Sequence, residues 1–182
     1  MIILLGMPGA GKTTQTQILG EFLGCPWFSM GGLIRQYATG QARAQMLQGK
    51  IIDDGPTMQI LAKALEPINT AKDECIVEGN PRSIPQAKWW LAKIKSGQIK
   101  LTGILQLSIG ITDAEHRLKK RGRVDDSDIN VIHKRFEEYK RTITPTIDYL
   151  KEQGLTVHEI DGSGTVEEVA LAIKSSLGLK GR

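Results

Sequence analysis

The chain has 182 residues, of which 40% are hydrophobic and 24% charged, a length and composition typical of one globular domain with its own core. The apolar run at the start, Met1 to Leu5, is too short for a signal peptide or a membrane span, so we expect a soluble, cytoplasmic protein. Cys25 and Cys75 have neither C-x-x-C nor histidine spacing, which argues against a disulfide framework and a zinc site.

The formal net charge of +4 comes from one segment, residues 117–141. That segment contains nine Lys or Arg residues and five Asp or Glu residues, so it accounts for the whole excess. Such a cluster can serve a nucleic-acid backbone, a phosphorylated small molecule, or only a solvated helix face. Charge alone does not choose among these.

Short apolar segments alternate with helical patterns along the chain, which predicts an α/β fold with a five-stranded parallel sheet covered on both faces. The predicted strands are 1–5, 26–29, 75–77, 103–108 and 156–160, and the predicted helices are 12–23, 86–94, 113–120, 128–153 and 165–177. In the helix over 128–153, Ser127 is the expected N-cap and Pro145 is expected to cause a kink. Thr165 and Glu168 have the spacing of a capping box.

Two segments do not follow this alternation. Residues 31–55 are rich in Gly and Gln with short helical patches, and residues 122–126 form a tight polar loop. We interpret both as surface insertions on the sheet framework.

A phosphate-binding motif follows the first predicted strand. Residues 6–13, GMPGAGKT, match G-x-x-x-x-G-K-[ST] between a strand and a helix. The glycines let successive backbone N–H groups face one point, where the positive end of the helix dipole also acts. Lys12 can then reach the terminal phosphates, and the Thr13 hydroxyl can ligate Mg²⁺. A P-loop alone indicates nucleotide binding and does not separate a small-molecule kinase from a GTPase or an ATPase motor.

Further segments resemble the adenylate kinase family. Residues 76–86, IVEGNPRSIPQ, resemble the family's D-G-F-P-R-T-x-x-Q segment. Residues 29–35, SMGGLIR, resemble S-T-G-D-L-L-R, and residues 117–126, RLKKRGRVDD, resemble R-x-x-x-R-x-x-G-R-x-D-D. The remaining matches are residues 49–52, Arg135, Pro145 and residues 161–163. They fall in the family's order over nearly the whole chain.

The resemblance implies a P-loop three-layer sandwich in one domain, residues 1–182, with a nucleoside monophosphate (NMP)-binding insertion at 30–55 and a short lid loop at 122–126. It implies a monomeric kinase that transfers the γ-phosphoryl group of ATP to AMP, using Mg²⁺ and no zinc, without nucleic-acid or membrane partners. The runner-up enzyme is a uridylate-cytidylate kinase. A catalytically silent nucleotide-binding module and a nucleic-acid-associated protein are the alternatives from other classes.

The resemblance also implies roles for individual residues. The catalytic residues would be Lys12, Arg82, Arg123 and Arg135. The ATP site would comprise Gly9, Ala10, Gly11, Lys12, Thr13, Thr14, Arg117, Arg121 and Gly162. The NMP site would comprise Met30, Arg35, Ile52, Gly79, Arg82, Gln86, Arg123 and Arg135. Thr13 would hold Mg²⁺ directly and Glu78 would hold it through water. The cations would offset the roughly six negative charges that the two substrates bring together.

The resemblance is imperfect at the acceptor base and the lid. Met30 replaces a small hydroxyl residue and Asn80 replaces an aromatic ring, which changes the predicted base pocket. Gln86 keeps the position where adenylate kinases pair an amide with adenine, so we favour AMP. The lid at residues 121–123 is shorter than the compact family form, so we expect ATP hydrolysis without acceptor. Glu78 takes the place of an aspartate.

Overall fold

A computed structural model of the chain, which describes residues 1–48, 50, 52–123, 126 and 128–179, contains a five-stranded sheet. The strands are β1 (Ile2–Gly6), β2 (Trp27–Ser29), β3 (Ile76–Glu78), β4 (Gly103–Ser108) and β5 (Val157–Asp161). Their order in the sheet is β2-β3-β1-β4-β5, and each neighbouring pair is parallel. The predicted parallel sheet is confirmed.

Helices surround this sheet. They are α1 (Lys12–Leu23), α2 (Met30–Tyr37), α3 (Gly40–Leu47), α4 (Asp54–Leu65), α5 (Ile84–Lys95), α6 (Ile111–Arg121), α7 (Ile129–Glu138), α8 (Thr144–Glu152) and α9 (Val166–Ser176). A π-helical turn, Tyr139–Ile143, joins α7 to α8. Within the described residues, no helix is both long and apolar enough to cross a membrane.

The central strand β1 shows why helices cover both faces of the sheet. Ile3 and Leu5 belong to one buried hydrophobic cluster, whereas Ile2 and Leu4 belong to another. Successive residues of a strand point to opposite faces, so an uninterrupted apolar strand needs a core on each side. The continuous run IILL therefore specifies a strand between two helical layers.

The strand register places the ends of three strands together. Leu4 of β1 is the register partner of Glu78 in β3, and Ser29 of β2 is the partner of Glu78 on the other side. Ligands of parallel α/β sheets bind beyond the carboxyl ends of the strands. The P-loop after β1 and the segment after β3 are therefore neighbours.

Helix α4 was not predicted from the sequence. It begins at Asp54, at the end of the segment that we interpreted as an insertion, and buries Thr57, Leu61 and Leu65. Gly and Pro are poor helix formers, and both occur in its first turn. Proline is tolerated there because first-turn N–H groups have no intrahelical partner. The first turn of α4 therefore has a composition typical of a loop.

The helix predicted over 128–153 is a helical segment that changes its winding near the proline. The π-helical turn ends at Ile143, just before Pro145, which has no N–H to bond the carbonyl four residues earlier. Asp128 is the N-cap, and its side chain accepts a hydrogen bond from the Asn130 backbone N–H at 2.8 Å. The predicted N-cap, Ser127, lies outside the described residues.

The predicted capping box of the last helix is confirmed. The Glu168 backbone N–H donates to the Thr165 hydroxyl at 3.2 Å, and the Thr165 N–H donates to the Glu168 carboxylate at 2.8 Å. Two first-turn donors are thereby satisfied.

Candidate active site

A cavity of about 750 Å³ opens at the carboxyl ends of β1 and β3. Its wall contains the following predicted site residues: Gly9, Ala10, Gly11, Lys12, Thr13, Thr14, Arg35, Ile52, Glu78, Gly79, Arg82, Arg117, Arg121, Arg123, Arg135 and Gly162. Nine of the described wall residues are Lys or Arg, and two, Glu78 and Glu138, are acidic. A concave site with this imbalance attracts polyanions.

The P-loop can curl because glycine occupies two positions whose backbone conformation would be strained for any other residue. Gly9 and Gly11 both have φ of 86°. A Cβ on Gly9 would lie 2.5 Å from the Ala114 carbonyl oxygen, so the loop packs directly against α6. Gly11 is the N-cap of α1 and offers no capping side chain, which leaves first-turn N–H groups of α1 for an anion.

Lys12 lies in an environment that disfavours its own charge. Its ammonium donates to the Met7 carbonyl oxygen at 2.8 Å. Burial lowers the pKa of Lys12 to about 8; Glu78 raises that pKa, and the cavity arginines lower it further. A bound polyphosphate would supply the negative charge that the free site lacks.

Thr13 and Glu78 bring two oxygen groups together beside the P-loop. The Thr13 hydroxyl donates to Glu78 Oε2 at 3.1 Å, and the Glu78 residue is only 5% exposed. Hydroxyl and carboxylate oxygens are donors that Mg²⁺ prefers, so the pair fits a magnesium site. Among the described residues, no group of three or more His, Cys, Asp or Glu side chains could hold a metal ion.

Arg121 and Arg135 are oriented by one buried carboxylate. Asp126 accepts from Arg121 Nε at 2.7 Å and Nη2 at 2.9 Å, and from Arg135 Nη1 at 2.6 Å. The Asp126 side chain has no exposed surface. Charge-assisted bonds of this length fix guanidinium planes, so the carboxylate sets the direction of both arginines.

Arg82 folds back over a glycine. Its Nε donates to the Gly79 carbonyl oxygen at 2.6 Å, and a Cβ on Gly79 would lie 2.9 Å from Arg82 Nη2. Burial lowers the pKa of the Arg82 guanidinium; Glu78 opposes this shift, whereas Arg135 and Arg35 add to it. Arg35, Arg82 and Arg135 all line the cavity, so their positive charges repel one another there.

Arg117 connects α6 to the loop after β5. Its Nη1 donates to the Gly162 carbonyl oxygen at 2.9 Å and its Nη2 to the Ser163 carbonyl oxygen at 3.3 Å. These two bonds hold the guanidinium plane at the cavity wall.

Comparison with known proteins identifies the family. The family model described as adenylate kinase matches residues 4–155. An adenylate kinase of Prochlorococcus marinus is 33% identical over 184 residues, covering 98% of this chain and 97% of that protein. An adenylate kinase of Rhodococcus erythropolis is 34% identical over 185 residues, covering 97% of this chain and 98% of that protein. This chain belongs to the adenylate kinase family.

The adenylate kinase family assignment confirms the predicted family, the α/β P-loop fold and the phosphotransferase class. A third relative, an adenylate kinase of Mycobacterium ulcerans, is 32% identical over 183 residues, covering 97% of this chain and 98% of that protein. The similarity therefore extends beyond the P-loop to nearly the whole chain.

Two residues predicted for the adenylate kinase acceptor site lie behind the cavity wall. Met30 and Gln86 are both 0% exposed. Gln86 Oε1 accepts from the Arg82 backbone N–H at 2.8 Å and from Asn80 Nδ2 at 2.7 Å, while its Nε2 donates to Asp54 Oδ1 at 2.8 Å. The amide is thus bonded to protein groups.

Three residues that hold the site together were given no role from the sequence. They are Asp54, Asp126 and Trp90, whose Nε1 donates to Asn80 Oδ1 at 2.6 Å. Trp90 lies four residues after Gln86, on the same face of α5. This spacing could have indicated from the sequence that the two side chains lie close together. Asp54 is 32 residues from Gln86 and became its partner only through tertiary structure. Asp126 lies in the predicted lid, where the family resemblance implied roles only for the neighbouring arginines Arg121 and Arg123.

Proposed function

We propose that this protein is a magnesium-dependent adenylate kinase that transfers the γ-phosphoryl group of ATP to AMP and forms two ADP. One observation carries the proposal: the P-loop and the arginines expected to bind an acceptor phosphate, Arg35 and Arg82, line the same cavity. Two anionic substrates can therefore meet without leaving the protein. This geometry supports a kinase more directly than a silent nucleotide-binding module.

The donor half of the cavity would bind ATP. The P-loop N–H groups and Lys12 would bind its terminal phosphates. Arg117, held by the carbonyl groups of Gly162 and Ser163, presents a planar cation on which the donor base can stack.

The acceptor half would bind the monophosphate. Arg35 and Arg82 would hold its phosphate, and the close approach of Arg82 to Gly79 places the guanidinium at the cavity wall. Ile52, which is 4% exposed, contributes an apolar surface suited to a base or ribose. We propose residues 30–55 as the NMP-binding insertion on this basis.

The transferred group would pass between these halves, past Arg121, Arg123 and Arg135. Phosphoryl transfer needs positioning and charge stabilisation more than a covalent nucleophile, and fixed guanidinium groups provide both. Thr13 and Glu78 would hold Mg²⁺, which neutralises charge on the β- and γ-phosphate oxygens when bound.

The proposal also covers the lid, the oligomeric state, the cellular compartment and the partners of the protein. We propose that residues 122–126 act as a short lid, that the protein is a cytoplasmic monomer, and that it uses no nucleic acid. The cationic cavity wall gives the basic segment a function with small phosphorylated substrates.

An acceptor panel tests the proposal. The protein is mixed with Mg-ATP and, separately, with AMP, dAMP, CMP, UMP and GMP, and diphosphate formation is followed, with Lys12→Ala as the control. AMP turnover that disappears in the variant supports the proposal. Preference for CMP or UMP would instead indicate a uridylate-cytidylate kinase, and no turnover with any acceptor would indicate a silent module.

A further inference from the structure

The helix that follows the P-loop, α1, carries a glutamine whose side chain is bonded to a distant part of the chain. Gln15 lies in the first turn of α1, one turn after Lys12, and is 4% exposed. Its Nε2 donates to the backbone carbonyl oxygen of Val166 at 2.9 Å. Val166 is the first residue of α9. The amide therefore joins the start of the P-loop helix to the start of α9.

The other half of this amide is buried without a hydrogen bond. Within the described part of the chain, no group lies within hydrogen-bond distance of Gln15 Oε1. A buried polar oxygen without a partner is unfavourable, and an apolar side chain of similar size would avoid that cost. What the glutamine supplies in return is the N–H that binds Val166. The unpaired oxygen therefore points to this N–H as the contribution of the residue.

The segment that the glutamine holds connects β5 to α9 and contributes to the cavity wall. We call residues 162–166 the β5–α9 segment. At its start, the Gly162 carbonyl oxygen accepts from Arg117 Nη1 at 2.9 Å. At its end, the Val166 carbonyl oxygen accepts from Gln15. Gly162 and Val166 both line the cavity, so a side-chain hydrogen bond fixes each end of the segment at the site.

Helices α1 and α9 are also held together by contacts away from the cavity. Leu19 of α1 belongs to the same buried cluster as Val169 and Ile173 of α9. Lys174 Nζ lies 4.0 Å from the centroid of the Phe22 ring, which is a favourable cation–π distance. These contacts dock α9 on α1 without the glutamine. The effect of its hydrogen bond therefore falls on the β5–α9 segment.

A donor nucleotide has to contact both of the parts that Gln15 joins. Its phosphates would bind the P-loop and Lys12, at the start of α1, and its base would stack on Arg117, which the β5–α9 segment holds. A ligand gains from two contacts at once only when the protein already holds them at the matching distance. Gln15 belongs to the phosphate-binding helix and bonds to the base-binding segment.

We propose that Gln15 is a positioning residue that holds the β5–α9 segment at a fixed distance from the P-loop, so that one nucleoside triphosphate contacts both. This inference rests on the proposed function, because it assumes that ATP places its phosphates on the P-loop and its base on Arg117. The ligand that depends on Gln15 is the whole nucleoside triphosphate. Inorganic tripolyphosphate has the phosphates without the base, so its binding does not depend on Gln15.

Replacing Gln15 by methionine tests this role. Gln15→Met removes both the N–H and the unpaired oxygen at a similar side-chain length. The β5–α9 segment must then be ordered when ATP binds, so the Kd for Mg-ATP should rise about tenfold, the effect of one lost hydrogen bond. The Kd for magnesium tripolyphosphate should change by less than about twofold. Calorimetric titration measures both, and in the diphosphate assay KM should rise for ATP and not for AMP.

Two further variants serve as controls. Lys174→Met removes the cation–π contact between the same two helices and does not touch the β5–α9 segment, so both Kd values should stay near wild type. Gln15→Asn keeps an amide, but its side chain is one carbon shorter and cannot reach the Val166 carbonyl oxygen at hydrogen-bond distance. It should weaken ATP binding selectively, as Gln15→Met does.

The outcomes distinguish this inference from the proposed function. A Gln15→Met protein that binds ATP as wild type does, or that loses affinity equally for ATP and tripolyphosphate, overturns the role of Gln15. Equal affinities of the wild type for the two ligands overturn it as well. Failure of both Gln15 variants to fold would show that the glutamine holds the fold and not the segment, which also overturns it. A wild type that binds ATP and does not convert AMP overturns the proposed function instead.

Discussion

Asp126 holds Arg121 through two hydrogen bonds, of 2.7 and 2.9 Å, in a position where the carboxylate has no exposed surface. The same carboxylate binds Arg135. Two cations that would stabilise the transferred group are therefore aimed by one anion that need not touch the substrate. A buried carboxylate that binds one guanidinium through two hydrogen bonds and also binds a second guanidinium stabilises their positions more than a surface ion pair would.

Replacing this anion should reduce turnover more than binding. In Asp126→Asn, the amide nitrogen would face a guanidinium group, and both arginines would lose their common partner. We expect kcat to fall about tenfold or more and the free energy of unfolding to fall by about 1–3 kcal/mol. Steady-state kinetics and urea denaturation check these values.

The matched control is Glu115→Gln on α6. Glu115 pairs with Lys119 at the protein surface, so both quantities should stay near wild type. A wild-type kcat in Asp126→Asn would show that turnover does not depend on the orientation that the buried carboxylate gives to Arg121 and Arg135.

The buried ammonium of Lys12 should lower the free energy of unfolding of the ligand-free protein, although turnover requires this residue. Its pKa is about 8 in the folded chain and 10.5 in the reference state, so between these values the unfolded chain binds more protons. The free energy of unfolding from this group therefore rises with pH from 8 to 10.5, and below pH 8 the destabilisation is complete. Lys12→Met should abolish turnover yet raise the melting temperature at pH 7.

Calorimetry at pH 7 and at pH 10 measures this effect, and the gain in melting temperature should be smaller at pH 10. Lys120→Met is the matched control, because Lys120 lines the same cavity but is exposed. A Lys12→Met protein that melts below wild type at pH 7 would contradict the unfavourable burial of the ammonium.

The Thr13 and Glu78 pair predicts a specific metal defect. Thr13→Val removes a hydroxyl that can ligate Mg²⁺, whereas Thr13→Ser keeps it. The Mg²⁺ concentration for half-maximal turnover should rise about tenfold in Thr13→Val and stay near wild type in Thr13→Ser, as expected for the loss of one oxygen ligand. Glu78→Gln should behave like Thr13→Val. Equal Mg²⁺ requirements in the wild type and the three variants would show that neither Thr13 nor Glu78 contributes to metal binding.

The short segment at residues 121–123 predicts incomplete exclusion of water. Lids close over substrates and prevent hydrolysis of the donor, so a shorter lid should let water compete with the acceptor. We expect phosphate release from Mg-ATP without AMP, at a rate above that of Lys12→Ala. A release rate indistinguishable from buffer would reject this hypothesis.

Local patterns in the sequence were enough to predict the fold and the phosphate motif. The apolar run of β1 needs two cores, and residues 6–13 carry their glycines at the spacing that a P-loop requires. The spacing is read within one segment, so no tertiary information is needed. The arginines of the cavity were predicted from the family's motifs, and they do line one site.

The partners of buried polar groups could not be predicted in this way. Gln86 was expected to face the acceptor base, but its bonds run to Asn80, the Arg82 backbone and Asp54. The sequence pattern around a glutamine does not show whether its side chain faces a ligand or a buried carboxylate. Only the packing of α4 against α5 decides between them, and the start of α4 is disguised by Gly55 and Pro56.

Binding of a bisubstrate mimic, two adenosines joined by five phosphates, tests most directly whether one cavity holds both substrates. Calorimetric titration should show one mimic bound per chain, and the saturated protein should bind neither ATP nor AMP. A saturated protein that still binds ATP or AMP would show that the two nucleotides occupy separate sites, which contradicts a single cavity for direct transfer.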